Sequence, residues 1–350
     1  MKRDHVSNNL TLGVDTHLDN HVAVLVNNLG QVVDTQEFPV CISGYEKLFK
    51  WCQSFGQLKQ AGLEGTGTYG AGLCKYLEQQ QVSVYEVNRP NRARRRLRGK
   101  SDPTDAENAA RSVLANESTA LPKSHDGVVE AMRYLVVARK SSVKSKTQSI
   151  NQIRALLVTA PSHIREKCYV PSTRQCIESC KRLKQEENNL LVNTLVSMLN
   201  LLAERWQLLS LELKQIDKQL KALTSLSAST LLDQYGVGSY VAATLMVAAG
   251  DNPERLKKES SFAALCGVTP LEASSGKKRR HRLNRGGSRD ANNALWTVTM
   301  IRMRNDPRTK NYVAKRSAEG KSHKEIQRCL KRYIARELFP IIISDLSSLS

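Results

Sequence analysis

Long apolar runs are missing from this sequence. No stretch of 18 consecutive apolar residues occurs, which excludes a membrane-spanning helix. The opening Met1-Lys2-Arg3-Asp4-His5 leads into polar residues without the apolar core of a secretory signal. These absences predict a soluble, cytoplasmic, nucleoid-associated protein with no membrane partner. Cysteine is sparse and scattered: eight residues with no Cys-x-x-Cys, the closest pair being Cys176 and Cys180 at a helical spacing. That pattern argues against a disulfide scaffold or a structural zinc site and predicts reduced thiols in the core. Acidic side chains are also in short supply, 33 against 53 Lys and Arg, for a net charge of +20. Such an imbalance points to a polyanionic partner, DNA or RNA, ahead of an anionic membrane. At 350 residues the chain is long enough for two or more domains with sizeable cores.

The first third reads as an α/β domain. Leu10-Thr11-Leu12-Gly13-Val14-Asp15 has the pattern of a strand ending on an acid. Residues 21–26 give a second strand, and the turn Asn27-Asn28-Leu29-Gly30 leads to a third over 31–38. A helix over 43–55, a strand over 60–64, a helix over 70–80 and a strand over 82–87 follow. The order βββαβαβ is what an RNase H-like mixed sheet requires. Two acids fall where active sites of open α/β sheets gather, at the ends of strands. They are Asp15 and Glu64, the latter in Leu63-Glu64-Gly65.

The segment Lys100-Ser101-Asp102-Pro103-Thr104-Asp105-Ala106 adds two carboxylates, three residues apart at a helix start, hence on one helix face. A capping reading competes: Asp102 suits an N-cap, Pro103 the first helical position and Asp105 the third. Four carboxylates in this order suit hard divalent cations, and phosphoryl transfer on nucleic acid commonly uses two Mg²⁺ ions. Just upstream, seven of the twelve residues from Arg89 to Lys100 are basic, Arg92, Arg94, Arg95, Arg96, Arg98 and Lys100 among them. Beside a metal site they would neutralise phosphates.

Beyond residue 125 the pattern is helical. Residues 126–160 carry Val136, Val143, Ile150 and Leu157 seven apart. Leu195, Leu199, Leu202, Trp206, Leu209, Leu213, Ile216, Leu220 and Leu223 alternate spacings of four and three, a coiled-coil seam. That seam can close against the 126–160 helix or between chains. Residues 232–243 read as helix, Gly236-Val237-Gly238 turn, helix, a helix-hairpin-helix-like element able to hold a phosphate. Then comes Ser274-Ser275-Gly276 followed by Lys277, Lys278, Arg279, Arg280, Arg282, Arg285 and Arg289. From the residues alone this loop binds phosphate or presents a serine nucleophile activated by neighbouring guanidinium groups. Residues 292–343 read as a closing helical layer with a basic outer face, and 347–350 as disordered.

Asp15, Glu64 and Lys100-Ser101-Asp102-Pro103-Thr104-Asp105-Ala106 resemble the DEDD, RuvC-like domain of insertion-sequence transposases of the Piv/MooV group, the IS-one-ten type. The family pattern Lys-x-Asp-x-x-Asp-Ala is met at every fixed position. The resemblance extends to Gly267-Val268-Thr269-Pro270 and the Ser-Gly and basic residues after it. It departs where the family has Gly-Asn and this chain has Gly286-Gly287-Ser288. It implies a metal tetrad of Asp15, Glu64, Asp102 and Asp105, with Mg²⁺ as the cofactor, two ions by the family's habit. It also implies Ser275 as a nucleophile that joins DNA covalently, with Ser274 as the alternative. The expected organisation is a RuvC-like domain over 1–125, coiled-coil and linker helices over 126–225, and a helical transposase domain over 226–350. Expected partners are donor and target DNA, a bridge RNA that selects the sites, and further copies in a homo-oligomer. A Piv-like invertase would share both motifs; a Holliday-junction nuclease would share only the carboxylates.

Overall fold

The computed structural model describes residues 9–87, 101–185, 189–275 and 281–349. The chain forms two compact units, Met1–His125 and Asp126–Ser350.

In the first unit, β1 (Asn9–Thr16), β2 (Asn20–Val26) and β3 (Val32–Pro39) form an antiparallel meander. The β2–β3 turn is closed by Asn27, whose Oδ1 accepts from the backbone N–H groups of Leu29 and Gln31, both at 3.0 Å. After α1 (Ile42–Phe55), β4 (Gln57–Leu63) pairs parallel to β1; after α2 (Ala71–Gln79), β5 (Ser83–Glu86) pairs parallel to β4. The sheet order is β3-β2-β1-β4-β5. Residues 10–14 and 21–26 are buried without alternation, because the central strands are covered on both faces. One face packs Leu10, Leu12, Val14 and Leu25 against Leu48, Cys52, Leu73 and Leu77 of α1 and α2.

The other face carries α3 (Asp102–Leu114). Its approach is unusually close, since Gly13 and Gly62 present no side chain and the helix answers with Ala106, Ala109 and Ala110. A Cβ built on Gly13 would lie 2.0 Å from the Ala106 carbonyl oxygen, and one on Gly62 2.7 Å from that of Ala109. Ser101, extended at φ −144° and ψ 150°, is the N-cap, so Asp102 and Pro103 are the first two helical residues. The capping reading of Asp102 is thereby corrected by one position, and its carboxylate lies 3.4 Å from the His17 imidazole instead.

Among its described residues the second unit is helical apart from one short hairpin. Its spine is α4 (Val128–Val158) packed along α7 (Leu190–Ser227). Val129, Met132 and Val136 share a core with Ile216 and Leu220, whereas Ile153 and Leu157 share another with Val192, Val196 and Leu199. The two helices therefore run antiparallel. Of the seam leucines, Leu199, Leu213, Ile216 and Leu220 are buried and Leu195, Leu202, Leu209 and Leu223 half-buried, so the seam closes within the chain. Arg139 Nε donates to Asp217 across the pair at 2.6 Å.

At one end of the hairpin, α5 (Ser162–Cys168) and α6 (Thr173–Lys181) bring Cys168, Cys176 and Cys180 into a small core. At the other end lie α8 (Ser229–Leu232), α9 (Ser239–Ala249), α10 (Glu259–Leu265), α11 (Arg289–Asn305), α12 (Pro307–Ala318) and α13 (His323–Ser347). Between α10 and α11 runs the hairpin of β6 (Leu271–Glu272) and β7 (His281–Arg282). The final helix continues to Ser347 rather than ending at 343, because Leu346 is buried and the Asp345 carboxylate accepts from the Leu231 N–H at 2.9 Å.

Candidate active site and nucleic-acid interface

The acids of the first unit converge because three elements end together. Asp15 is the penultimate residue of β1. Glu64 directly follows β4 and is stitched to β1 on either side of Asp15. Its N–H donates to the Val14 carbonyl at 3.2 Å, and its own carbonyl accepts from the Thr16 hydroxyl at 2.7 Å. Asp102 opens α3, and Asp105, 2 % exposed, lies on its buried face.

Asp15 and Asp102 meet around a third side chain, His17. The imidazole Nε2 lies 3.4 Å from a carboxylate oxygen of each acid, and the three potential ligand atoms lie within 4.8 Å of one another. Asp15 is 13 % exposed, His17 46 % and Asp102 49 %, so the group opens to solvent on one side. Glu64 and Asp105 do not join that group among the described residues. Two carboxylates ~4.8 Å apart repel by about 1 kcal/mol in a water-like medium and about 3.5 kcal/mol at an effective dielectric of ~20. A divalent cation relieves that repulsion, and two carboxylate oxygens with one imidazole nitrogen are suitable donors for it. His17 was passed over in the sequence reading. Its signal was the Asp15-Thr16-His17 spacing, since residues two apart at a strand end share a face.

His21, paired with Thr16 in the β1–β2 ladder, is fully buried and stacks on Tyr45 at 5.9 Å between ring centroids. Burial, reinforced by the nearby His17, pushes its pKa down to about 4.

In the second unit Ser274 and Ser275 are exposed, on the connection between β6 and β7. Gly287 lets that loop return against its start: a Cβ there would meet the Gly267 nitrogen at 2.2 Å. Ser288 then caps α11, its hydroxyl accepting from the Ala291 N–H at 3.2 Å. The Gly286-Gly287-Ser288 departure thus preserves both a tight crossing and an N-cap. Arg282 and Arg285 line a cavity of about 1400 Å³ with residues of α11 and α13. Gly236, at φ +87°, packs against Val298 and Ile301 of α11, whereas Gly238 is the exposed N-cap of α9. The preceding α8 is a single turn, so the helix-hairpin-helix expectation is met only by a turn and its second helix. Arg92, Arg94, Arg95, Arg96, Arg98 and Lys100 lie outside the described residues, as do Lys277, Lys278, Arg279 and Arg280.

Among the described residues no helix is long and apolar enough to cross a membrane. Residues 12–160 match the DEDD_Tnp_IS110 family, described as a transposase, and residues 228–314 match the transposase IS116/IS110/IS902 family. No curated protein matches the chain. The first match spans Asp15, Glu64, Asp102 and Asp105, and the second spans the serine loop. They define a transposase, an enzyme that cleaves and transfers DNA strands. Both carry the same insertion-sequence type, and the chain belongs to it: it is an IS110-family transposase. DEDD-type domains of this kind use a divalent metal, and DNA is the substrate.

Proposed function

We propose that the chain is an insertion-sequence recombinase that cuts and rejoins DNA through a phosphoserine, with Mg²⁺ held by Asp15, Glu64, Asp102 and Asp105. The observation that carries this reading is the Asp15–His17–Asp102 group at the β1 and α3 ends of a transposase domain. The β3-β2-β1-β4-β5 order with parallel β1, β4 and β5 supports an RNase H-like, RuvC-like domain. When bound, the metal supplies charge neutralisation at the scissile phosphate. His17, 3.4 Å from both Asp15 and Asp102, holds these two carboxylates in register.

Ser275 is the nucleophile: its Oγ bonds to phosphorus and gives up its proton. The P–O3′ bond breaks, and the departing 3′-oxygen takes up a proton. The strand stays linked as a 5′-phosphoserine until a second 3′-hydroxyl attacks and releases the serine. Arg282 and Arg285 neutralise charge on the phosphorane. Exposed Leu201, Leu208 and Leu211 on α7, left over when the hairpin closes, support a homo-oligomer. A bridge RNA choosing donor and target sites completes the proposal, on the family's pattern.

The test is trapping of protein–DNA adducts on a plasmid carrying the element and its flanks. Ser275→Ala abolishes the adduct while DNA binding persists. Loss with Ser274→Ala alone moves the nucleophile by one residue. Cleavage that continues without any adduct overturns the phosphoserine in favour of hydrolysis by water. Sequencing of co-purifying RNA tests the guide, and a discrete transcript from the gene's own flank is the expected result.

A further inference from the structure

We propose that the second unit binds an unpaired polynucleotide strand across two adjoining cavities, its phosphates in one and a base stacked on Tyr333 in the other. This rests on the chain acting on nucleic acid; it shares Arg282 and Arg285 with the proposed cleavage step but does not require Ser275.

The first cavity, about 1400 Å³, is lined by nine Lys or Arg side chains and one carboxylate, Glu325. Some of that charge is already spent. Arg332 forks onto Glu259 at 2.6 and 2.7 Å. The described residues give Arg282, Arg285, Arg289 and Arg328 no carboxylate within salt-bridge reach, and these four remain for an anion. Lys331 is set among them. Its Nζ donates to Asn292 Oδ1 at 2.8 Å, and the Asn292 amide donates to the Cys266 and Gly267 carbonyls at 2.9 and 3.2 Å. Burial, with Arg328 beside it, lowers the Lys331 pKa, so a phosphate there restores what the ammonium loses. No single small anion needs so long a row of cations; a chain of phosphates does.

The second cavity, about 620 Å³, shares Tyr333 and Arg336 with the first and is of different character. Its charge is nearly balanced, Arg302, Arg308 and Arg336 against Asp306 and Glu337, and Arg302 forks onto Glu337 at 3.0 and 2.9 Å. It is not a phosphate site. What it offers is aromatic surface from Tyr235, Tyr312 and Tyr333. Tyr312 meets Tyr333 edge to face at 5.8 Å and 88°, fixing the ring, yet Tyr333 is 50 % exposed and Tyr235 53 %. A held, half-exposed ring beside a row of cations is a stacking platform. Inside a duplex both faces of a base are covered by neighbours, so these rings reach only a base that is out of the stack.

The test is fluorescence anisotropy with the full-length protein and three 20-nucleotide probes: oligo-dT, oligo-U and a duplex of mixed sequence. Tyr333→Ala weakens single-strand binding about tenfold and leaves the duplex within twofold; Tyr333→Phe restores it. Tyr235→Ala, on a separate turn, repeats the selective loss should Tyr333→Ala misfold. Arg285→Ala with Arg328→Ala lowers the salt slope for the single strand by about 1.4. Whichever of oligo-dT and oligo-U loses more to Tyr333→Ala names the source of the strand. Equal losses for strand and duplex, or no loss with either tyrosine, overturn the proposal. Ser275→Ala leaves all these affinities unchanged, which separates this test from that of the nucleophile.

Discussion

Replacing Gly13 by alanine adds one methyl group at the point where α3 crosses β1. The new Cβ would sit 2.0 Å from the Ala106 carbonyl oxygen and 2.4 Å from the Ala110 nitrogen. Both are backbone atoms of the helix, so no side chain can rotate away. An ordinary carbon–oxygen contact is about 3.3 Å, so α3 must retreat by about 1.3 Å. Overpacking of this kind costs about 1–3 kcal/mol. The functional loss is larger in proportion, because α3 carries Asp102 and Asp105 while β1 carries Asp15. A displacement of about 1 Å at a reacting centre costs on the order of 10²-fold in rate.

Leu77→Ala is the control. Leu77 is fully buried on the opposite face of the sheet, and its truncation costs about 2–5 kcal/mol through a cavity that does not push α3. The assay pairs thermal melting with metal-dependent cleavage of a plasmid bearing the element, at a temperature where both variants are folded. Gly13→Ala is expected to melt above Leu77→Ala yet cleave about a hundredfold more slowly than the parent. Cleavage by Gly13→Ala at the parent rate, or a loss no greater than that of Leu77→Ala, refutes the link between this crossing and the acids.

His17→Ala removes the imidazole between Asp15 and Asp102 and should raise the metal concentration for half-maximal cleavage about 10- to 100-fold, with little change in melting temperature; an unchanged metal requirement removes His17 from the site. His21 gives a pH signature. Its folded pKa of about 4 lies below the unfolded value of about 6.5, so its contribution is fully present above pH 6.5 and is lost as pH falls toward 4. The loss reaches up to about 3 kcal/mol, and His21→Phe should flatten that part of a denaturation-versus-pH curve.

Much of the first unit could be read from residue order. The meander, the parallel strands and the acids at strand ends are local patterns, and each survives in the folded chain. The N-cap was harder, because Ser101 and Asp102 are both competent caps and only the backbone at Ser101 decides between them. His17 escaped notice since a histidine after a strand has no periodicity to mark it; its meaning comes from Asp102, distant in sequence. The last helices were read as a closing layer with a basic face. That holds for Ile326, Leu330, Ile334 and Leu338, which are buried. Arg328, Lys331 and Arg336 instead turn toward the loop after β7, a convergence that helical spacing alone cannot express.

The paired α4 and α7 form a rod with one end rooted in the transposase core. At 38 residues α7 is about 57 Å long. A rod of that reach is a lever: each degree of tilt at its root sweeps the far tip through about 1 Å. Slight repacking around Ile216 and Leu220 therefore arrives, magnified, at the cysteine-lined cap on the other end.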